Sequence, residues 1–308
     1  MRLLWISAAT FVLLTASILA FPITPRLPVE NSAFEKIPEV KTQTLPVISE
    51  GTSFPLVSAQ AAVAVDLTTG TTLYDKNSRE KYLPASTTKI ITAVTALDFY
   101  PQDLVIEVGK VKVEGQKMGL VEGEKIRVID LLYGLLMYSA NDAAEVLAAN
   151  FPGGRDLFII SMNLKAQQYG LVDSYFTNPS GLDGTTQVTT ALDLVKISEA
   201  AMKNPTFAKI VGTRELTVKS VDGLNAHRLT NINRLVGEVE GVLGVKTGWT
   251  EEARENLVTY LERDGKKIMI VVLGSQDRFG ETKELIEWIF SSYEWKEVPL
   301  SQGVDYSP

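Results

Sequence analysis

Residues 257–273, LVTYLERDGKKIMIVVL, decide the fold class of this 308-residue chain. Residues 257–261 and 267–273 are predicted as strands, the second because it is a nearly continuous apolar run. At the other end of the folded region, residues 61–66 and 71–74 flank a Thr-Gly turn and predict a hairpin. Strands therefore lie at both ends, and helices dominate the middle. This order predicts an α+β fold: an antiparallel β-sheet flanked by helices, with an inserted all-helical subdomain.

Six helices are predicted between and after these strands. Apolar residues at helical spacing indicate the first of them. Gly170 stands where a helix C-terminal cap is expected, and Thr190 with Asp193 resembles the capping box of the next helix. The predicted ranges are residues 86–99, 128–137, 142–149, 155–169, 190–202 and 281–291.

The composition limits the kinds of site that the chain can build. Lys and Arg total 30 and Asp and Glu total 37, a formal charge of −7, which argues against nucleic acid as a partner. The absence of cysteine excludes disulfides, thiolate metal sites and cysteine nucleophiles. The single histidine, His227, excludes metal sites built from several histidines. We therefore expect neither a metal nor a cofactor.

The N-terminus has the features of an export segment. Arg2 is followed by residues 3–20, an uncharged stretch whose length falls between those of a signal peptide and a spanning helix. We predict that residues 1–20 are a signal peptide or, with a slight preference, an uncleaved membrane anchor, and that the remainder is exported. Spaced prolines make residues 21–57 a predicted linker, followed by the folded domain over 58–293 and a C-terminal tail over 294–308.

Ser86-Thr87-Thr88-Lys89 stands at the start of the first predicted helix. Three-residue spacing places Ser86 and Lys89 side by side on one helical face. A serine hydroxyl becomes a good nucleophile when a neighbouring base takes its proton, and a lysine can be that base when burial lowers its pKa. Taken alone, the pattern is also that of a capping serine followed by a surface lysine.

Ser139-Ala140-Asn141 lies in the break between two apolar helical runs. A loop at this point can present a hydroxyl and an amide to a cleft, where the hydroxyl relays a proton and the amide holds a substrate amide. Taken alone, Ser and Asn are equally typical of an ordinary turn between helices.

Lys246-Thr247-Gly248, followed by Trp249, is predicted on a strand. Lys246 would supply a positive field and Thr247 a hydroxyl for an anionic group. Because Gly248 has no side chain, a substrate backbone could lie close to the strand and pair with it. Taken alone, the motif is also compatible with a plain strand that ends in a glycine turn.

The three motifs follow one another in the order shared by penicillin-binding proteins and class A β-lactamases. Each falls where the chemistry requires it: at a helix start, in a loop between helices and on a strand. The chain resembles the serine D-alanyl-D-alanine carboxypeptidases, or low-molecular-mass penicillin-binding proteins, over about residues 59–291. The matching segments are PASTTKI (84–90), DLLYGLL (130–136), SANDAA (139–144), NPSGL (178–182), TNIN (230–233) and GVKTGWT (244–250).

The resemblance implies an acyl-transfer reaction. Ser86 attacks the carbonyl between the two terminal D-alanines of a peptidoglycan stem peptide, and Lys89 accepts its proton. Ser139 and Lys246 help to pass the proton to the departing D-alanine. Water then hydrolyses the acyl-enzyme, and β-lactam antibiotics, which mimic the dipeptide, are the implied inhibitors.

The same resemblance implies how the substrate is held. Asn141 binds the peptide, and Thr247 with Lys246 receives the terminal carboxylate. The backbone N–H groups of Ser86 and Trp249 form the oxyanion hole, a contribution often worth a few kcal/mol. The site is therefore expected in an extracytoplasmic protein of the cell envelope.

The chain departs from this family in two respects. After Thr250 the family usually shows Ala-Gly, whereas Ala253 is here followed by Arg254, so we expect a reshaped strand connection or an altered activity. Many relatives also carry a second β domain and an amphipathic C-terminal helix. Here the chain ends soon after Trp295, and membrane attachment is expected through the N-terminal segment.

Other functions on this scaffold remain open. A class A β-lactamase needs a deacylating Glu in a Glu-x-x-x-Asn element, and residues 145–150 do not fit because they lie on a helix directly behind Ser139. A DD-endopeptidase would use the same motif residues as a carboxypeptidase. An inactive peptidoglycan-binding relative is disfavoured by the intact motifs, although Arg254 leaves room for it.

A Ser-His-Asp hydrolase would depend on His227 as the base. The sequence lacks a Gly-x-Ser-x-Gly elbow, and His227 with Arg228 is predicted in a polar turn near a strand. Residues 122–124, Glu-Gly-Glu, are predicted as a solvated turn. The aromatic residues Trp288 and Tyr293 are predicted to serve packing.

Overall fold

The structure, a computed structural model, describes residues 42–182 and 186–299. The strands are β1 (Thr42–Ile48), β2 (Ala61–Asp66), β3 (Thr72–Lys76), β4 (Val105–Glu107), β5 (Lys125–Arg127), β6 (Glu215–Lys219), β7 (Ala226–Thr230), β8 (Val242–Thr250), β9 (Arg254–Arg263), β10 (Lys266–Ser275) and β11 (Tyr293–Pro299). The helices are α1 (Lys89–Phe99), α2 (Val128–Leu136), α3 (Asn141–Ala149), α4 (Gly154–Gln168), α5 (Ala191–Met202), α6 (Pro205–Val211) and α7 (Arg278–Ser292), and a 3-10 turn (Ala85–Thr88) precedes α1.

The central sheet has five strands in the order β3-β2-β10-β9-β8, and every neighbouring pair is antiparallel. It joins strands from both ends of the described chain, as predicted. The strand β10 lies in the middle and is buried on both faces, which explains its nearly continuous apolar sequence. The α+β prediction is therefore confirmed.

The alternation of side chains along the central strands creates two apolar cores. Met269 and Val271 of β10 face the core shared with α1, α2 and α5, whereas Ile268 and Ile270 face the core shared with α7. The predicted packing role of Trp288 is confirmed, since its ring lies within 6 Å of the rings of Tyr74 and Tyr293 by centroid distance.

The segment between β3 and β8 contains the helices α1 to α6 and also two short antiparallel pairs, β4–β5 and β6–β7. The sequence analysis did not predict these pairs. β4 and β5 have three residues each, too few for a periodic pattern to be recognised. They frame the irregular segment 108–124, which becomes important at the site below.

Two predicted helix caps are confirmed. Gly170 has a φ of 68°, and the N–H groups of Gly170 and Leu171 donate to the carbonyls of Gln167 and Ala166, the pattern of a Schellman motif. The Thr190 side chain accepts a hydrogen bond from Asp193 N, so α5 begins where the sequence places it.

The structure corrects two predicted boundaries. β1 lies within the predicted linker and pairs along its whole length with β11, most of which lies in the predicted tail. Pro46 is tolerated because β1 is an edge strand, paired on one side only. Trp295 Nε1 donates to Asp66 Oδ2 at 2.7 Å and ties this ribbon to the central sheet.

The predicted signal peptide or anchor, residues 1–20, lies outside the described residues. Among the residues that are described, none of the helices has the length and apolar character needed to cross a membrane.

Candidate active site

Ser86 and Lys89 are adjacent at the turn that leads into α1. Lys89 Nζ lies 2.8 Å from Ser86 Oγ and donates a second hydrogen bond to the carbonyl of Ser180 at 2.5 Å. Lys89 is fully buried, and burial lowers the pKa of its ammonium from the ordinary 10.5 to about 7, partly opposed by the carboxylates of Glu145 and Asp142. Lys89 can therefore be a neutral base near neutral pH.

The segment 178–182 holds the carbonyl that faces Lys89. Asn178 Oδ1 accepts hydrogen bonds from the N–H groups of Ser180 and Gly181 at 3.1 and 2.7 Å, which closes a tight turn. Gly181 has a φ of 79°, and a Cβ there would lie 1.8 Å from the carbonyl oxygen of Ala85. The sequence analysis quoted this segment for its resemblance alone and missed its contact with the Ser86 turn.

Asn256 on β9 fixes the other side of the Ser86 turn. Its Nδ2 donates to the carbonyls of Leu83 and Pro84 at 2.9 and 3.0 Å, and its Oδ1 accepts from Gly274 N at 2.8 Å. Asn256 is fully buried, and a buried amide whose hydrogen-bonding groups all have partners is a strong constraint on its surroundings. The sequence analysis missed it, because the predicted strand begins one residue later.

Ser139 lies in the connection between α2 and α3, as predicted, and Asn141 is the first residue of α3. Ser139 has a φ of 62°, an uncommon conformation for a residue other than glycine. Asn141 Nδ2 donates to the carbonyl of Glu114 at 2.8 Å, and Asn141 N donates to Gln116 O at 2.7 Å. Asn141 Oδ1 is buried and has no hydrogen-bond partner among the described residues, which leaves it available to an N–H of a bound peptide.

Lys246 and Thr247 lie on β8 beside the Ser86 turn. Burial, reinforced by the positive charges of Lys89 and Arg278, lowers the pKa of Lys246 well below its ordinary value. Lys246 Nζ donates to Thr247 O at 2.9 Å. Thr247 Oγ1 is buried without a hydrogen-bond partner among the described residues, so it too is free to bind a ligand.

Gly248 lets two segments of the protein pack closely at this point. A Cβ at Gly248 would lie 3.1 Å from both Pro84 O and Ser86 N, so the glycine lets β8 approach the nucleophile turn. The sequence analysis expected its small size to admit a substrate backbone, and the observed close approach is an additional reason for glycine here.

Arg278, at the start of α7, is a site residue that the sequence analysis missed. Its Nη1 donates to Gly248 O at 2.9 Å, and burial lowers the pKa of its guanidinium from the ordinary value. It lies thirty residues after Gly248 in the chain, a contact that only the tertiary fold creates.

The motif residues meet in one cleft of about 590 Å³. Lys89 and Lys246 are buried behind its wall, whereas Trp249 at its rim is 62% exposed. Its lining comprises Ser86, Glu114, Gly115, Gln116, Ser139, Asn141, Leu182, Ile232, Thr247, Gly248, Trp249, Thr250, Glu251 and Arg278. The nucleophile Ser86, the amide of Asn141 and the guanidinium of Arg278 therefore line one cavity, and the adjacent base Lys89 lies behind its wall.

The model of the D-alanyl-D-alanine carboxypeptidase family matches residues 49–277, which contain every one of these lining residues but Arg278. The chain belongs to this family. It is 31% identical to the D-alanyl-D-alanine carboxypeptidase DacF of Bacillus subtilis over 77% of this chain and 63% of that protein. It is 33% identical to a D-alanyl-D-alanine carboxypeptidase of Mycobacterium tuberculosis over 76% of this chain and 82% of that protein.

Solved structures show the same fold. The crystal structure of a Streptomyces DD-transpeptidase superimposes with a TM-score of 0.74 at 32% identity, covering 78% of this chain and all of that one. A D-alanyl-D-alanine carboxypeptidase from Mycobacterium tuberculosis gives a TM-score of 0.73 at 31% identity, with coverage of 81% and 99%. Membership in this carboxypeptidase family makes the protein a serine hydrolase.

His227 is not placed as the base of a Ser-His-Asp hydrolase at Ser86. It lies on β7, its Nδ1 is 3.0 Å from Met118 O, and its Nε2 is 2.7 Å from Glu124 Oε1. The predicted solvated turn at residues 122–124 is an exposed turn at Glu122 and Gly123, but Glu124 is buried. The predicted polar turn at His227 is wrong, because His227 lies on β7 and is buried against Glu124. Neither residue lines the cleft.

Glu145 is placed as the sequence analysis expected. It pairs with Arg155, whose Nε lies 2.7 Å from Glu145 Oε2, and it does not line the cleft. The structure therefore gives Glu145 no position from which to activate a water molecule at Ser86, in contrast with a class A β-lactamase.

Arg254 leaves the strand connection intact, in contrast with the expectation of reshaping. β8 and β9 pair in unbroken register from Gly244–Tyr260 to Thr250–Arg254. Arg254 has a φ of 55°, which glycine adopts without strain, and its side chain is exposed. The glycine usual in the family therefore serves backbone conformation at this position.

We expect Arg254→Gly to raise the free energy of unfolding by about 0.5 kcal/mol, because relief of left-handed strain slightly exceeds the entropy cost of a glycine. Chemical denaturation of the two proteins measures this difference. The kcat/KM of peptide cleavage should not change. A variant that is clearly less stable would contradict the strain argument.

Proposed function

We propose that the protein is an exported serine D-Ala-D-Ala carboxypeptidase that removes the terminal D-alanine of peptidoglycan stem peptides through an acyl-enzyme on Ser86. The observation that carries this proposal is the 2.8 Å contact between Ser86 Oγ and Lys89 Nζ, with a pKa of about 7 for Lys89. The family match and the names of its members support the substrate class.

Acylation needs one proton to move twice. Neutral Lys89 takes the proton of the Ser86 hydroxyl as Oγ bonds to the carbonyl carbon of the penultimate D-alanine. The oxyanion accepts hydrogen bonds from the backbone N–H groups of Ser86 and Trp249. The C–N bond then breaks, and the departing amine receives the proton by way of Ser139 and Lys246. Hydrolysis by water completes the cycle and returns Ser86 to its free form.

The substrate is held at both ends of the scissile bond. Asn141 Oδ1, which lacks a partner among the described residues, accepts an N–H of the peptide on the acyl side. Thr247 Oγ1, also without a described partner, donates to the terminal carboxylate. Arg278, which lines the cleft, gives that end a positive charge. Terminal carboxylates are therefore favoured over amides.

β-Lactams imitate the D-Ala-D-Ala dipeptide and acylate Ser86 in the same way. Because Glu145 is engaged by Arg155 and does not line the cleft, it is not placed to deacylate the drug, and we expect a long-lived adduct. The membrane is a further partner, through residues 1–20 as an anchor, if this segment is not cleaved as a signal peptide.

The direct test is release of D-alanine from a peptide that ends in D-Ala-D-Ala. We expect the wild-type protein to release one D-alanine per peptide and the Ser86→Ala variant to release none. The same peptide with a C-terminal amide should be a poor substrate, because Thr247 and Lys246 then lack their anionic partner. Absence of D-alanine release by folded wild-type protein would overturn the proposal.

Transfer of the acyl group to an amine is a second candidate activity, favoured by the structural similarity to the Streptomyces DD-transpeptidase. It would use the same acyl-enzyme and replace water by an amine acceptor. Adding a D-amino acid to the reaction and analysing the peptide products distinguishes the two, because transfer gives an exchanged C-terminal residue and hydrolysis does not.

The rate of acylation should depend on the protonation of Lys89. With a pKa of about 7, Lys89 is protonated and inactive as a base at lower pH and neutral above it. We expect the acylation rate constant to rise about tenfold per pH unit below about pH 7 and to level off above it. A rate that stays flat from about pH 5 to about pH 9 would contradict Lys89 as the base.

A further inference from the structure

His227 and Glu124 form a buried pair outside the catalytic cleft. Their side chains are 5% and 0% exposed, and His227 Nε2 lies 2.7 Å from Glu124 Oε1. The second carboxylate oxygen of Glu124 accepts a hydrogen bond from Val121 N at 3.1 Å, and His227 Nδ1 contacts Met118 O at 3.0 Å. Both side chains thus bond to the backbone of the irregular segment 108–124.

The geometry fixes the protons of this pair. A carbonyl oxygen only accepts, so Nδ1 of His227 carries a proton and donates it to Met118 O. One more proton must lie between Nε2 and Oε1, because a lone pair facing a carboxylate at 2.7 Å would be repulsive. The pair therefore holds Met118 and Val121 through one directed hydrogen bond each.

The same segment is bound from its other side by the start of α3. The carboxylate of Asp142 accepts hydrogen bonds from the N–H groups of Met118, Gly119 and Leu120 at 3.0, 2.9 and 3.1 Å. Asn141, next to Asp142, donates to the carbonyls of Glu114 and Gln116. Residues 114–121, named here the wall segment, therefore lie between the His227–Glu124 pair and the Ser-x-Asn motif.

The part of the wall segment that faces the cleft has little apolar packing. It contains neither helix nor strand, and residues 114–117 are exposed. Glu114, Gly115 and Gln116 nevertheless line the catalytic cleft on the side of Asn141. Met118 is buried in the apolar core and Leu120 packs against it, so the exposed residues 114–117 depend on this anchor and on the hydrogen bonds that His227, Glu124 and Asp142 supply.

We propose that His227 and Glu124 are positioning residues that hold the wall segment against Asn141 and so set the binding of the acyl side of the peptide substrate. The inference rests on the proposed function for its substrate. It gives the chain's single histidine a role in substrate binding without placing it at the reacting atoms.

Two substitutions of Glu124 test whether its hydrogen bonds hold the wall segment. In Glu124→Gln, the amide nitrogen can donate to His227 Nε2 while the amide oxygen accepts from Val121 N, so every contact is kept with neutral His227. In Glu124→Ala, both contacts are lost. His227→Ala removes the bond to Met118 O, and Arg228→Ala, an exposed neighbour on the same strand, is the control.

The first measurement is hydrogen exchange of the wall segment in each variant. We expect the amides of Met118, Gly119 and Leu120 to exchange at least about tenfold faster in His227→Ala and Glu124→Ala, with residues 268–273 of β10 unchanged. Glu124→Gln and Arg228→Ala should resemble the wild type. If His227→Ala does not fold, the comparison of Glu124→Ala with Glu124→Gln gives the same answer.

The second measurement is cleavage of a peptide ending in D-Ala-D-Ala. We expect KM to rise about tenfold in His227→Ala and Glu124→Ala while kcat changes less than about threefold, and Glu124→Gln to retain the wild-type KM. Unchanged exchange, an unchanged KM, or a Glu124→Gln variant as impaired as Glu124→Ala would overturn the inference. An inactive wild type with the expected exchange pattern would instead refute the proposed function alone.

Discussion

Lys89→Met is expected to slow acylation of Ser86 by about 10²–10⁴-fold, the usual contribution of a positioned general base. Methionine has a similar length and fills the same buried space, but it cannot accept the proton of Ser86. The rate constant for labelling by a fluorescent penicillin measures the effect directly. Lys203→Met is the control, because Lys203 is an exposed lysine on α5's C-terminal side whose nearest charged partner is Glu199.

The same substitution should stabilise the protein at neutral pH. A pKa of about 7 for Lys89, against 10.5 for an ordinary lysine, corresponds to about 5 kcal/mol of unfavourable free energy, since each pH unit is worth about 1.4 kcal/mol. Losing the hydrogen bonds to Ser86 and Ser180 offsets about 3 kcal/mol of this gain. We expect Lys89→Met to raise the free energy of unfolding by about 2 kcal/mol.

The sign of this effect follows from proton binding. As the pH falls from 10.5 towards 7, Lys89 becomes protonated in the unfolded chain but stays neutral in the folded protein. The free energy of unfolding of the wild type therefore falls. The Met variant lacks this loss. Urea unfolding at about pH 7 and about pH 10 should show a larger advantage of the variant at the lower pH. A variant that is both fully active and less stable would contradict the assignment of Lys89.

Gly181→Ala is expected to impair both stability and acylation. Its Cβ would lie 1.8 Å from Ala85 O, an overlap that backbone atoms must relieve by moving, and its φ of 79° strains any other residue. The displaced peptide is the one that leads to Ser86. We expect a loss of about 3 kcal/mol in the free energy of unfolding and at least about a hundredfold loss in acylation rate.

Gly170→Ala is the matched control for this substitution. Gly170 has a similar φ of 68°, but a Cβ there would meet no atom within 4 Å. It should therefore lose about 1 kcal/mol from backbone strain alone and keep the wild-type acylation rate. Equal effects of the two substitutions on acylation would show that Gly181 acts through strain and not through contact with the Ser86 turn.

The sequence predicted those parts of the site whose residues are close together in the chain. Ser86 and Lys89 are three residues apart on one turn, and Ser139 and Asn141 are two residues apart where α3 begins, so spacing was sufficient to predict that each pair lies together. The paired strands β9 and β10 were recognisable because their apolar runs are long. The helix C-terminal cap at Gly170 was equally predictable, because it depends on the glycine itself.

The parts that the sequence could not predict depend on contacts between distant segments. Asn256 reaches the carbonyl of Leu83 across 173 residues of chain, and His227 reaches Glu124 across 103. Nothing in the neighbourhood of Glu124 distinguishes it from a solvated turn residue, since only burial by β7 changes its environment. The pairing of β1 with β11 was missed for the same reason, with Pro46 as a misleading signal.

The most direct test of the central claim is the mass of the intact protein after incubation with benzylpenicillin, followed by mapping of the modified peptide. We predict one penicilloyl adduct per chain, located on Ser86, that persists through the measurement and is absent from the Ser86→Ala variant. An unmodified protein, an adduct on another residue, or rapid hydrolysis of the drug without a lasting adduct would contradict it.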